Sequence, residues 1–230
     1  MKGWALVTGA SKRIGRAIAL DLAAQGWDIV VHYHRSADEA KMLAEDIHAL
    51  GQDAVLAEID LANAQLAENL IPSLAEEIGM IDILVNNASI FERDEADPGG
   101  SRHWAINADA PRLLSKAFRA HLPKGERGVI VNLLDAVLAS AGAQPAPPYA
   151  AYGKSKIFLT DMTRNMAKSF APQVRVNGVA PGFVLPAAGQ SEEEFHKIAK
   201  GRTVTPQQVA DAVRRLIETP AATGEIVAVA

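Results

Sequence analysis

The chain has 230 residues, 49% of them hydrophobic, enough to bury one sizeable core and few for two, so a single domain over 1–230 is expected. A formal net charge of −4 with no dense Lys/Arg block argues against a nucleic-acid surface, and no apolar run reaches the roughly 18 residues a membrane helix needs. Cysteine is absent, which removes disulfides and thiolate metal sites, and Gly3-Trp4-Ala5-Leu6-Val7 reads as a strand rather than a secretory leader, so the expected location is the cytoplasm.

Along the chain, apolar strand-like runs alternate with helical periodicities. Strands are predicted at 3–8, 28–33, 53–57, 82–86, 128–134, 173–178 and 225–229. Helices are predicted at 14–25, 37–50, 64–78, 102–121, 152–170 and 206–218, with Asp38 and Thr205-Pro206 as start signals. This order predicts an α/β, doubly wound fold of about seven mostly parallel strands with helices on both faces, and a ligand beyond the strands' carboxyl ends. Only 92–101, 139–149 and 182–203 read as irregular, and loops at such strand ends build substrate specificity.

Thr8-Gly9-Ala10-Ser11-Lys12-Arg13-Ile14-Gly15 follows the first strand and opens the first helix, so its N–H groups and the helix dipole can face a pyrophosphate. An ordinary turn with solvated Lys12 and Arg13 is the plain alternative. The second strand favours the cofactor reading, because it ends Val31-His32-Tyr33-His34-Arg35-Ser36 without the carboxylate that holds a free ribose 2′-hydroxyl. Arg35 offers a planar multidentate donor for a 2′-phosphate, Ser36 a hydroxyl and Lys12 a point charge, which favours NADP(H) over NAD(H). His32 and His34 alternate onto one strand face, but nothing nearby completes a coordination set and no metal is assigned. Asp60-Leu61 follows the third strand, where Asp60 either accepts the adenine amino group or caps the next helix.

Tyr152 and Lys156 lie one helical turn apart, roughly 5–6 Å between Cβ atoms, so an ammonium can stabilise the phenolate and make Tyr152 a usable acid. Tyr149 lacks this advantage, since Gly153 stands four residues on. In order along the chain, the Thr8–Gly15 loop, Asn86-Asn87-Ala88, Asn107, Tyr152-x-x-x-Lys156 and Pro181-Gly182 resemble the short-chain dehydrogenase/reductase family over nearly the entire length. The resemblance implies a Rossmann domain that binds NADP(H) through Gly9, Lys12, Arg13, Ile14, Gly15, His34, Arg35, Ser36, Asp60, Leu61, Asn87, Ala88, Tyr152, Lys156, Pro181 and Gly182. It also implies Lys156 on the nicotinamide ribose and Asn107 in a water-linked proton relay.

Where a typical member carries serine near the end of the fifth strand, this chain has Asp135. A carboxyl group beside Tyr152 can help deliver a proton or accept hydrogen bonds from an amino-substituted ring. With Lys12-Arg13, His32 to Ser36 and Asn86 to Phe91, that departure resembles the pteridine reductase branch. The branch implies that Phe91 sandwiches a pterin against nicotinamide, an economical way to hold a flat heteroaromatic, and that Arg13, Ser89, Asp135 and Tyr152 complete the substrate site. A core or interface role for Phe91 is the bland alternative. Trp104 falls on a helix that resembles the family's dimerisation helices, so a homodimer or homotetramer is expected. The substrate loop is placed around 183–203, where Pro186-Ala187-Ala188-Gly189 points to mobility; with no Asp-Gly-Gly-like turn and tail after Ile226–Ala230, a more open pocket is expected. The expected activity is NADPH-dependent reduction of a ring C=N in a pterin, dihydropterin or dihydrofolate. The alternatives are a 3-ketoacyl-type carbonyl reductase and a non-catalytic NADP(H) sensor, the latter disfavoured by the intact Tyr152-Lys156 pair.

Overall fold

The computed structural model describes residues 2–140, 142–186 and 191–230. Seven strands, β1 (Trp4–Val7), β2 (Asp28–Tyr33), β3 (Ala54–Glu58), β4 (Ile81–Asn86), β5 (Gly128–Leu133), β6 (Val174–Pro181) and β7 (Ile226–Val229), form one sheet in the order β3-β2-β1-β4-β5-β6-β7. Every pairing is parallel. Strand order reverses between β1 and β4, and crossover connections leave in opposite directions there, opening a crevice at the carboxyl ends of the strands.

The helices are α1 (Arg13–Ala24), α2 (Ala37–Ala49), α3 (Ala64–Ile78), α4 (Ser101–Trp104), α5 (Ala110–His121), α6 (Ala150–Phe170), α7 (Glu192–Ala199) and α8 (Pro206–Glu218). Strand residues alternate between two apolar layers. Ala5, Val7, Ile29, Val31, Ile83 and Val85 pack with α1, α2 and α8, while Leu6, Val30 and Leu84 pack with α3, α5 and α6. Burial on both faces is why these strands read as unbroken apolar runs rather than alternating ones.

Several local features differ from the sequence expectations. The helix predicted over 102–121 is divided by a π turn, Ala105–Asp109, between α4 and α5. Within the stretch expected to be irregular, Ser191 and Glu194 form a capping box that starts α7. The N-cap of α2 is Ser36, with Asp38 inside the first turn. Asn63 caps α3 by accepting from Gln65 N and Leu66 N, so Asp60 is not the cap; its Oδ1 accepts from Ala62 N at 2.9 Å. Thr205 does start α8, paired with Gln208 and followed by Pro206. Mobility expected at Ala187, Ala188 and Gly189 concerns positions outside the described residues. No described helix is long and apolar enough to cross a membrane.

Candidate active site

The glycine loop is sewn to the end of β4. Thr8 Oγ1 accepts from Asn87 N at 2.9 Å and Ala88 N at 3.0 Å, and Asn87 Nδ2 donates to the carbonyls of Thr8 and Gly9 at 2.8 and 3.1 Å. Two glycines are required, for different reasons: a Cβ at Gly15 would collide with the Gly9 carbonyl oxygen and stand 2.6 Å from Asn87 Nδ2, whereas Gly9 holds φ 62°, a left-handed conformation, with a Cβ there standing a tight 3.2 Å from Ala88 Cα. Arg13 adopts φ 56°, a left-handed conformation that costs a non-glycine residue about 1–2 kcal/mol. Its guanidinium donates to the Pro186 carbonyl at 2.7 Å, tying the glycine loop to the segment after β6.

His32, on β2, supports this loop from below. Gly9 N–H donates to His32 Nδ1 at 3.0 Å, so Nδ1 is the acceptor and Nε2 carries the ring proton, facing the Ile59 carbonyl at 3.3 Å. Burial lowers its pKa to about 4. Both nitrogens are thus occupied, and His32 is a neutral brace across β1, β2 and β3 whose role the sequence reading missed.

A cleft of about 360 Å³ is lined by Gly9, Lys12, Arg13, Ile14, Gly15, His34, Asp60, Leu61, Asn87, Ala88 and Ser89, along with His32, Ile90 and Ile106. Of the other predicted cofactor residues, Arg35 and Ser36 follow His34 at the surface without lining the cleft, and Pro181 and Gly182 lie at the end of β6. Lys12 Nζ sits 2.6 Å from Glu39 Oε1 on α2. His34 Nδ1 is 3.8 Å from Asp60 Oδ1. A second cavity of about 420 Å³ lies at the opposite end of the sheet, where β5 and β6 begin, away from every one of these groups.

Beyond the end of β5, Asp135 meets α6. Tyr152 OH donates to Asp135 Oδ2 at 3.0 Å, while Asp135 Oδ1 accepts from Val137 N at 2.9 Å and Leu138 N at 3.2 Å, which fixes the carboxylate plane. Lys156 is buried and donates from Nζ to the Leu133 carbonyl at 2.9 Å. Burial, then the charge of Asp135 and its hydrogen bond, push the Tyr152 phenol well above its ordinary value. Burial pulls Lys156 down to about 8, with Asp135 opposing. The Lys156 amine lies 5.9 Å from the Tyr152 ring centroid and donates to a carbonyl rather than to the phenol oxygen, so it can steady a phenolate only through space, while Asp135 favours the protonated phenol.

Asn107 lies in the π turn, a feature that often re-aims a side chain at functional sites. Its Oδ1 accepts from Ile90 N at 2.9 Å, and its Nδ2 donates to the Ile90 carbonyl at 3.0 Å and to Ser155 Oγ at 3.2 Å. The residue beyond Phe91 is pinned as well: Glu92 N donates to His103 Nε2 at 3.2 Å, leaving His103 Nδ1–H to donate to Asp97 Oδ2 at 2.7 Å. Between these clamps the Phe91 ring, 43% exposed, stacks on Tyr149 with centroids 4.3 Å apart and stands edge-on to Tyr152 at 4.7 Å. Asp94 ties the same loop to the first turn of α6, accepting from Ala150 N at 3.0 Å and Ala151 N at 2.9 Å, and these bonds hold its carboxyl below the usual range. The sequence reading missed Tyr149, His103, Asp97 and Asp94. Only the Asp97–His103 proximity left a local trace; the partner of Asp94 is 56 positions away.

The short chain dehydrogenase family profile matches residues 3–197. The chain belongs to the short-chain dehydrogenase family. By sequence, the chain is similar to a 3-oxoacyl-(acyl-carrier-protein) reductase of Synechocystis sp., 34% identical over 226 residues that cover 95% of this chain and 90% of that protein. By structure, it is similar to FolM alternative dihydrofolate reductase 1 from Brucella canis complexed with NADP, with a TM-score of 0.90 and 32% identity over 99% of this chain and 92% of that one. It is also similar to a short chain dehydrogenase from Burkholderia cenocepacia in complex with NADP, with a TM-score of 0.87 and 30% identity over 98% of this chain and 95% of that one.

The cleft fits a dinucleotide on its own geometry. Gly9 and Gly15 leave bare backbone where a phosphate needs close approach, and Lys12 begins α1 with no side-chain cap, so the first-turn N–H groups can serve an anion.

Proposed function

We propose that this protein is an NADPH-dependent reductase acting on a ring C=N of a pterin, dihydropterin or dihydrofolate. The observation that carries the reading is the Tyr152 OH to Asp135 Oδ2 hydrogen bond, with the partly exposed Phe91 ring edge-on to the same phenol. A reducible flat ring with amino substituents needs an acid for its nitrogen, an acceptor for its N–H groups and an aromatic face to lie on. Tyr152, Asp135 and Phe91 supply these in turn. Bound in the cleft, a nicotinamide cofactor supplies the hydride. Lys12, Arg35 and Ser36 are the groups for a 2′-phosphate, and both solved structures named above are complexes with NADP.

Tyr152, with Asp135, supplies the proton to the ring nitrogen directly or through water, the hydroxyl turning from Asp135 to the substrate; the charge of Lys156, 5.9 Å from the ring, steadies the phenolate left behind, and Asp135 accepts from the substrate's N–H groups. Lys156 orders the end of β5 through the Leu133 carbonyl and would hold the nicotinamide ribose of a bound cofactor; Asn107 acts by fixing Ile90 and hence the platform residue. Ser89 and Arg13 provide polar contacts around the ring. The same reading places the enzyme in the cytoplasm as a homo-oligomer, with Trp104, 41% exposed and packed on Phe158, at the subunit contact.

The competing reading is reduction of a 3-ketoacyl thioester, favoured by the sequence relatives named as 3-oxoacyl reductases. NADPH consumption with dihydrobiopterin, dihydrofolate and an acetoacetyl thioester separates the two. Turnover of a pterin or folate substrate is expected, and Phe91→Ala is expected to raise its KM roughly tenfold while leaving the NADPH Kd unchanged. Turnover of the thioester alone would refute the pterin reading.

A further inference from the structure

We propose that Glu39 is a cofactor-specificity residue, an internal carboxylate on Lys12 that a 2′-phosphate must displace. This rests on the NADP(H) reading and deepens it. Lys12 lines the cleft, yet its ammonium is engaged by Glu39 Oε1 at 2.6 Å. Glu39 stands in the first turn of α2, whose N-cap Ser36 directly follows Arg35, so the pair lies beside the groups read as the phosphate site.

Three features make Glu39 a competitor rather than an incidental surface charge. The positive end of α2 favours negative charge in its first turn, where Asp38 and Glu39 both lie. Hydrogen bonding to Lys12 keeps the Glu39 carboxyl below its usual range, so it is charged near neutral pH. The Ser36 side chain makes no capping bond, which leaves its hydroxyl for an external anion. A phosphate at Lys12 must therefore either evict Glu39 or sit beside it, and each route weakens binding of the phosphorylated nucleotide. A nucleotide with a bare 2′-hydroxyl makes no demand on Lys12 and meets no such competition. With side chains 48% and 39% exposed, the pair is well screened, so the effect on affinity is graded rather than absolute.

Calorimetric titration of the full chain with adenosine 2′,5′-bisphosphate and with adenosine 5′-monophosphate tests this without involving turnover. Glu39→Gln is expected to tighten the bisphosphate by roughly two- to fivefold and to leave the monophosphate unchanged. In a Lys12→Met background the same substitution is expected to lose most of that gain. An unchanged ratio in Glu39→Gln overturns the proposal, and so does a lowered one, which would make Glu39 a support that aims Lys12 at the phosphate. A gain that persists undiminished in Lys12→Met overturns it too, by assigning the effect to the general field. Wild-type protein with no preference for the bisphosphate sinks the NADP(H) reading itself, whereas a wild-type preference that Glu39→Gln leaves untouched sinks only the role of Glu39.

Discussion

Acidification is expected to destabilise the protein through His32, and the size of the effect follows from its surroundings. In the unfolded chain this histidine takes up a proton near its ordinary 6.5, whereas in the fold it resists protonation down to about 4, chiefly because burial disfavours the cation. Between those values the unfolded state binds more protons, so stability falls as the pH drops from 6.5 through about 4 and is level below that. Roughly two and a half pH units at about 1.4 kcal/mol each amounts to about 3.5 kcal/mol, a large share of a typical folding free energy. His32→Asn isolates this contribution, because it keeps an acceptor for the Gly9 N–H but has nothing to titrate. Urea unfolding across that range should show the variant less stable at neutral pH and the gap closing as the pH falls. Parallel curves for the two proteins would refute the assignment of His32 as a neutral, buried brace.

Tyr152→Phe is expected to lower kcat by about 10² to 10⁴-fold with little change in NADPH Kd, measured by steady-state kinetics and cofactor fluorescence; a mild loss of rate would remove the phenol from the proton path. Gly15→Ala is expected to abolish measurable dinucleotide binding and lower Tm, since its Cβ meets the Gly9 carbonyl rather than a side chain that could move aside. With the amine of Lys156 titrating at about 8, reductive kcat/KM should fall as the pH rises through that value, and a profile flat across it would separate the charge of Lys156 from the reaction. Arg35→Ala should weaken NADPH more than NADH, and no change in that ratio would take Arg35 out of the phosphate site.

The sheet and its crevice were legible in the sequence because each rests on short-range patterns. Val7, Val31 and Val85 belong to apolar runs that only a sheet covered on both faces explains, and Gly9 and Gly15 mark a backbone that something must approach closely. Tyr152 and Lys156 share one helix face by spacing alone, and Asp135 stood out by its resemblance to the family pattern, as a carboxylate where a typical member has serine.

What those side chains touch was decided by the tertiary structure. Lys156 reaches the Leu133 carbonyl rather than the phenol; Lys12 meets Glu39, and Tyr149 stacks on Phe91 instead of standing aside. A helix period or a glycine loop registers burial and conformation, which are local properties of the chain. The partners of Gly9 N–H, Phe91 and Asp94 lie 23, 58 and 56 positions away and meet them only because the order of strands brings the ends of β1, β2, β4 and β5 to one crevice. The sequence by itself thus determined the sheet and the kinds of chemical group at its edge, and the tertiary structure decided which groups pair, because pairing depends on distances that no stretch of neighbouring residues contains.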